Sequence, residues 1–168
     1  MKRVLVTGAN GQLGLALEDA TKDPSLEIVF MDKSALDITN AEAIKEVFDK
    51  QSFAVCINAA AYTDVDGAET NKALAYEINA TGVENLAKVC KHHECWLIHI
   101  STDYVFDGTL DRPYVPSDTP NPLNVYGASK LTGEQAIEAA SGTYSIVRTS
   151  WLYSHYGNNF YTKLQAQL

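Results

Sequence analysis

The stretch that decides the fold is residues 4–14, which read VLVTGANGQLG. A short apolar run typical of a buried strand passes through a glycine-rich loop into a helical pattern. Gly8 allows the sharp turn out of the strand, Gly11 lets the backbone approach a pyrophosphate, and Gly14 lets the helix pack close to the sheet. The free N–H groups at the start of such a helix favour phosphates, so this loop predicts a dinucleotide site. Its predicted cofactor-binding residues are Gly8, Asn10, Gly11, Gln12, Leu13 and Gly14.

Apolar runs of strand length alternate with segments of helical periodicity along the chain. Strands that are apolar on both faces and are joined by helices predict an α/β fold. The expected architecture is a doubly wound parallel sheet of the Rossmann type, with helices on both faces and right-handed crossovers. Residues 104–122 contain four prolines and predict a long ordered loop. The predicted strands are 3–7, 26–32, 53–60, 96–102 and 144–151, and the predicted helices are 11–22, 40–50, 68–93 (with a break near Asn71), 123–140 and one starting near Asn158.

The composition is that of an ordinary globular protein. The 168 residues carry a formal net charge of −8, and the sequence has no basic stripe, so nucleic acid is an unfavourable partner. Its apolar runs are too short to span a membrane. The three cysteines, at 56, 90 and 95, lack metal-like spacing and predict reduced thiols; with no leader-like segment before the first strand, a cytoplasmic location without a metal site is expected.

An acidic residue follows the second predicted strand. Asp32 stands at the distance from the glycine loop where an acid contacts the adenosine ribose, which favours NADH. Lys33 beside it would tolerate a 2′-phosphate, so NADPH stays open, and a turn cap is the alternative role for Asp32. The other predicted cofactor contacts outside the glycine loop are Asp37 and Ile38 beside the adenine, and Ala59, Ala60 and Ala61, whose small side chains allow a flat ring to lie close to the backbone.

Tyr126 and Lys130 stand four residues apart at the head of a predicted helix, which puts both on one face. The ammonium of Lys130 is expected to lower the pKa of Tyr126 from about 10, so that the phenol can protonate an alkoxide. Lys130 can also hold the nicotinamide ribose. The motif by itself is common, and a surface helix pair is the alternative interpretation.

Thr102 closes the strand that precedes the long loop, at the sheet edge where ligands of doubly wound folds lie. There it is expected to orient a substrate carbonyl beside Tyr126. Ser101 is the rival, because adjacent strand residues face opposite sides and only one can serve. Asn79, followed by Gly82 inside a helical pattern, is predicted either to hold a water behind Lys130 as part of the cofactor site or to kink the helix.

Six segments together carry a family resemblance: TGANGQLG, NAAAYTDVDGAE, INATG, STDYVFDG, VYGASK and VRTSWLY. They look like the extended short-chain dehydrogenase/reductases, and in this order like the family of dTDP-4-dehydrorhamnose reductases. The resemblance implies an enzyme that uses NADPH or NADH to reduce the 4-keto group of a dTDP-sugar, dTDP-4-dehydrorhamnose, to dTDP-L-rhamnose, and it allows a homodimer of the full-length protein. It makes Thr102, Tyr126 and Lys130 the catalytic triad, and Asp103, Tyr104 and Trp151 the sugar contacts.

Members of that family are longer than this chain. Residues 1–168 are therefore expected to form an NAD(P)-binding Rossmann domain truncated before most of the C-terminal substrate domain. One rival function is a nucleotide-sugar 4,6-dehydratase or 4-epimerase, but the dehydratases follow the threonine with Asp-Glu, whereas Thr102 is followed here by Asp103 and Tyr104. Another rival is a non-catalytic dinucleotide-binding regulatory subunit, such as that of methionine adenosyltransferase, which the intact triad disfavours.

Overall fold

The computed structural model describes residues 1–167. Within them, five parallel strands form one sheet in the order β2-β1-β3-β4-β5. The strands are β1 (Lys2–Thr7), β2 (Leu26–Met31), β3 (Val55–Asn58), β4 (Trp96–Thr102) and β5 (Tyr144–Thr149). The helices are α1 (Gln12–Ala20), α2 (Ala41–Lys50), α3 (Val65–Thr70), α4 (Lys72–Tyr76), α5 (Gly82–His92), α6 (Val125–Ala140) and α7 (Phe160–Gln165), with a π-helical turn at Glu77–Thr81 and a 3₁₀ turn at Asp103–Val105.

The strand order reverses direction once, between the first two crossovers. The step from β1 to β2 runs one way across the sheet, and the later steps run the other way. Right-handed crossovers then put α1 on one face and α2, α5 and α6 on the opposite face. This is the doubly wound architecture predicted from the sequence, and its switch point lies between β1 and β3, where ligands bind in such folds.

The main core fills the space between the sheet and α2, α5 and α6. Leu5, Cys56 and Leu97 point into it from neighbouring strands, and Phe48 and Leu86 meet them from the helices. The alternate side chains of β1 are buried too, so the opposite face of the sheet is also covered. All three cysteines are buried and free, as expected for reduced thiols.

Several predicted boundaries are corrected by the structure. The third strand is shorter than 53–60, because the Asn58 side chain accepts a hydrogen bond from the Ala60 amide at 3.2 Å and turns the chain out of the sheet. The fifth strand ends at Thr149 instead of 151, just before Trp151, which has a positive φ of 52°. The helical stretch 68–93 starts earlier, at Val65, and is divided at Asn71, as predicted, and again by the π-helical turn.

The long proline-containing loop is held by two carboxylates, Asp107 and Asp118, of which Asp118 pairs with Arg112. Asp107 accepts hydrogen bonds from the hydroxyls of Thr109 and Tyr114 and from the Asn121 amide, at 2.7, 2.9 and 2.9 Å. These bonds hold the pKa of Asp107 far below its usual value, so it remains an anion at the centre of the loop.

Among the described residues, none forms a helix that is long and apolar enough to cross a membrane.

Candidate active site

A cleft of about 820 Å³ opens at the carboxyl ends of the strands. It runs from the loop after β1 to the start of α6, which is the place the switch point predicts. The structure brings together here nearly all of the residues proposed from the sequence. They are Gly8, Asn10, Gly11, Gln12, Leu13, Asp32, Asp37, Ile38, Ala59, Ala60, Ala61, Thr102, Asp103, Tyr104, Tyr126, Lys130 and Trp151.

The glycine loop has the shape that a phosphate cradle requires. Gly8 has a φ of 67°, and a Cβ there would lie 2.6 Å from the Ala60 nitrogen. Gly14 does not line the cleft; it lets α1 approach the backbone of Ala9 so closely that a Cβ would overlap it. Gly11 caps α1 without any side-chain hydrogen bond, so the first N–H groups of this helix face the cleft. The loop therefore fits a dinucleotide pyrophosphate.

Asp32 caps a turn, which is the alternative role considered for it, and it also borders the glycine loop. One carboxylate oxygen accepts hydrogen bonds from the Ser34 hydroxyl at 2.7 Å and the Ala35 amide at 2.9 Å, which is a turn cap. The other oxygen accepts from the Asn10 amide at 2.7 Å, beside the glycine loop. The Ser34 and Ala35 bonds lower the pKa of Asp32, so an anion borders the cleft.

Tyr126 and Thr102 meet at the opposite end of the cleft. Burial raises the pKa of the Tyr126 phenol, and the nearby Thr102 hydroxyl acts in the opposite direction. Tyr104 packs edge-on against the Tyr126 ring, with centroids 5.7 Å apart. Of the two rivals at the strand end, Thr102 therefore adjoins the tyrosine, whereas the Ser101 hydroxyl is buried without a hydrogen-bond partner among the described residues.

The expected pairing of Lys130 with Tyr126 needs correction. The Lys130 Nζ donates to the carbonyl oxygen of Ile100 at 2.7 Å and lies 3.2 Å from the His99 Nε2. Its side chain is 1% exposed, and burial lowers its pKa to about 8, although the Glu134 carboxylate acts the other way. The predicted lowering of the Tyr126 pKa by this ammonium is thus wrong: the phenol pKa is raised, because burial outweighs the other influences.

The structure does not bring Asn79 to the cleft. Its side chain is fully buried in the π-helical turn, where it accepts from the Tyr62 amide and donates to the Tyr62 carbonyl and the Ser129 hydroxyl. Ser129 in turn donates to the Tyr126 carbonyl at 2.7 Å. Asn79 therefore ties the segment after β3 to the first turn of α6. The helix irregularity, one of the two explanations considered, is real.

Two groups of residues at the site were not found by sequence reasoning. Asn58 and His99 lie under the cleft in adjacent strands and hydrogen-bond to each other at 3.0 Å. Asn159 caps α7 and donates a hydrogen bond to the Gln12 side chain at 3.2 Å, so the segment after β5 contacts the glycine loop. The predicted helix start near Asn158 could have indicated Asn159 as the capping residue. Polar residues inside otherwise apolar strands were the signal for Asn58 and His99.

Within residues 1–167, no cluster of three or more His, Cys, Asp or Glu side chains is arranged to hold a metal ion.

Comparison with known proteins gives one consistent result. A dTDP-4-dehydrorhamnose reductase from Aggregatibacter actinomycetemcomitans is 45% identical over 161 residues, which cover 95% of this chain and 55% of that protein. One from Mycobacterium tuberculosis is 45% identical over 157 residues, 91% of this chain and 51% of that protein. The crystal structure of the Bacillus anthracis dTDP-4-dehydrorhamnose reductase in complex with NADP superposes with a TM-score of 0.96 at 45% identity, covering 99% of this chain and 59% of that one.

The chain spans about half the length of the curated relatives it matches. The family described as the RmlD substrate binding domain matches residues 1–168. The sheet order, the glycine loop and the cleft described above agree with this family match. This protein belongs to the RmlD substrate binding domain family.

Proposed function

We propose that this chain is the dinucleotide-binding part of an NADPH-dependent reductase that converts dTDP-4-dehydrorhamnose to dTDP-L-rhamnose. One observation carries the proposal: a single cleft connects the glycine loop at residues 8–14 to Thr102 and Tyr126. A ligand that spans this distance must be elongated, with an anionic middle at the helix start and a reacting end at the phenol. The proposed sugar substrate is inferred from the relatives, which are dTDP-4-dehydrorhamnose reductases.

When bound, NADPH would supply the hydride that reduces the keto carbon. The residues of this chain would bind the cofactor, orient the carbonyl and donate the proton. Thr102 donates a hydrogen bond to the carbonyl oxygen and so orients it, and Tyr126 gives the proton that the resulting alkoxide requires. Lys130 would hold the nicotinamide ribose from below. Asp103, Tyr104 and Trp151 would contact the sugar, and the 70% exposure of Trp151 leaves its ring free to stack on it.

NADPH is favoured over NADH by two observations. Lys33 borders the same end of the cleft as Asp32, and its side chain is 74% exposed, so its ammonium can reach a 2′-phosphate. The related Bacillus anthracis enzyme was crystallised with NADP. The Asp32 carboxylate opposes a phosphate electrostatically, and the Lys33 ammonium offsets this.

Calorimetry of residues 1–168 with NADPH and NADH tests the cofactor half of the proposal. We expect binding of both, with tighter binding of NADPH, and Lys33→Gln should reduce that preference without abolishing NADH binding. NADPH oxidation in the presence of the keto sugar tests the reaction. A chain that binds neither dinucleotide would contradict the proposal outright. Binding without sugar-dependent oxidation at any enzyme concentration would restrict the protein to a non-catalytic role.

A further inference from the structure

A chain of buried polar side chains crosses the sheet beneath the cleft. Thr7, Asn58 and His99 lie side by side on β1, β3 and β4, and Lys130 reaches them from α6. None of the four is more than 1% exposed. The Thr7 hydroxyl donates to the Asn58 Oδ1 at 2.7 Å, the Asn58 Nδ2 lies 3.0 Å from the His99 Nδ1, and the His99 Nε2 lies 3.2 Å from the Lys130 Nζ.

The direction of these hydrogen bonds follows from the backbone. The Ala60 N–H can only donate, and it contacts the Asn58 Oδ1 at 3.2 Å, which identifies that atom as the amide oxygen. The amide nitrogen of Asn58 therefore faces His99, and it can only donate. The His99 Nδ1 must then accept, so the one proton of the neutral ring sits on Nε2.

The Nε2–H of His99 points at Lys130, and this determines which form of the amine completes the network. An ammonium carries donors only, so it would set N–H against N–H. Moving the ring proton to Nδ1 only transfers the conflict to Asn58. A neutral amine has one lone pair, which accepts from His99, and keeps an N–H for the Ile100 carbonyl at 2.7 Å.

The charges around Lys130 are compatible with this assignment. Burial and the nearby Lys130 keep the pKa of His99 well below 6.5, so the ring is neutral. Glu134 favours the ammonium, but its carboxylate is held by Arg148 at 2.6 Å. Apart from the buried thiol of Cys90 on α5, whose raised pKa keeps it neutral, the other ionisable groups on α6 and on the elements packed against it are exposed or half-buried, among them Glu69, Glu77, Glu84, Lys88, Asp103 and Tyr126.

We propose that Thr7, Asn58 and His99 make Lys130 an amine that exchanges its proton with solvent near neutral pH, instead of a permanent cation. His99 is the positioning residue, because it donates its Nε2–H to the neutral form. The inference deepens the proposed function and rests on it for its consequence: the amine proposed to hold the nicotinamide ribose changes its charge within the working pH range. The hydrogen-bond pattern itself does not depend on any ligand.

Nuclear magnetic resonance can test this without cofactor or substrate. In protein with ¹³C-labelled lysine, with the Lys130 signal assigned by Lys130→Arg, we expect Lys130 to titrate at about 8, well below the ordinary lysine value of 10.5. The ¹⁵N shifts of His99 should report the Nε2–H tautomer. Titration of Lys130 near 10.5, or an Nδ1–H tautomer, would overturn the proposal. Neither result bears on whether the chain binds NADPH, so failure here is distinct from failure of the proposed function.

Two near-isosteric variants separate hydrogen-bond direction from burial. Asn58→Asp keeps an acceptor for Thr7 and Ala60 but faces His99 with a carboxylate, so the ring proton should move to Nδ1 and Nε2 should accept from an ammonium. We expect its Lys130 proton affinity to rise at least about tenfold. His99→Gln can accept from Asn58 and donate to Lys130, and should keep the low titration. An unchanged tautomer in Asn58→Asp would refute the mechanism, and the wild-type titration and tautomer decide the matter if this variant does not fold.

Discussion

The Lys130 Nζ and the Ile100 carbonyl oxygen lie 2.7 Å apart, so the lysine turns toward β4 and not toward the Tyr126 hydroxyl one helical turn before it. No hydrogen bond joins Lys130 to that hydroxyl in the described part of the chain. The reason is packing: α6 lies close against β4, and the buried Lys130 reaches the Ile100 carbonyl and the His99 ring there before it reaches its helical neighbour.

Replacing this buried amine should change how the stability of the fold depends on pH. The pKa of Lys130 falls from 10.5 to about 8, so keeping the ammonium in the folded protein costs on the order of 3 kcal/mol. This penalty is complete below pH 8 and disappears as pH rises to 10.5, where both states are neutral. Lys130→Met removes the penalty, but it leaves the Ile100 carbonyl and the His99 ring without their partner at every pH. In urea titrations we therefore expect the free energy of unfolding of Lys130→Met, relative to wild type, to be about 3 kcal/mol higher at pH 7 than at pH 10.5. A difference between the two proteins that is independent of pH would contradict the explanation.

A bulky side chain at Gly11 should block the pyrophosphate. Its Cβ would lie 3.2 Å from the Gly8 oxygen, at the opening of the cleft. We expect Gly11→Val to weaken NADPH binding in calorimetry by more than about tenfold, or about 1.4 kcal/mol. Gly142→Val is the matched control, because its Cβ would also meet a neighbour at 3.2 Å, on Lys91 and away from the cleft. Equal affinity in the two variants would remove the glycine loop from the cofactor site.

Tyr126→Phe should impair proton donation and little else. The raised pKa of Tyr126 keeps the phenol protonated through neutral pH, so reduction should decline only at alkaline pH. We expect ~10²–10⁴-fold slower single-turnover oxidation of NADPH with the keto sugar, at nearly unchanged cofactor affinity. Tyr144→Phe, at the start of β5, serves as the control. Near-normal turnover by Tyr126→Phe would assign the proton to another group.

The ion pair that joins α6 to β5 is expected to be a large contributor to stability. Arg148 donates two hydrogen bonds to the Glu134 carboxylate, at 3.0 and 2.6 Å, and the Glu134 side chain is only 2% exposed. Arg148→Ala leaves a buried carboxylate unpaired and should cost about 3–5 kcal/mol in chemical denaturation. Lys45→Ala, which breaks the exposed pair with Asp49, should cost less than about 1 kcal/mol. Comparable losses would mean that the Glu134 site is more hydrated than its burial indicates.

Residues 1–168 alone should bind cofactor well and turn over sugar poorly. The chain spans about half the length of its relatives, and the aromatic side chains at its reacting end, Trp151 and Phe160, are 70% and 55% exposed. Contacts remote from the reacting carbon contribute to catalysis by orienting the substrate. We expect kcat/KM to lie several orders of magnitude below that of the Bacillus anthracis reductase, which was crystallised with NADP, with similar NADPH affinities. Matching kcat/KM values would show that these residues contain a complete site.

The sequence by itself determined the order of strands and helices, the doubly wound sheet and the glycine loop. These features depend on local signals: apolar runs, helical periodicity, and glycines where a turn or a close approach excludes a side chain. It also predicted that Thr102 and Tyr126 lie at one cleft, because residues at the carboxyl ends of parallel strands and at the start of the following helix must converge at one edge.

Only the tertiary structure decided how the buried polar groups are arranged. The spacing of Tyr126 and Lys130 implied a direct pair, but the lysine is directed elsewhere by hydrogen-bond partners on β4, which is distant in sequence. The hydrogen bond between Asn58 and His99, and the turn that places Asn79 against Ser129, likewise join segments that no local pattern relates. Burial strongly favours a partner for each such donor and acceptor, and which partner is available depends on the packed neighbours and not on the residue's own stretch of sequence.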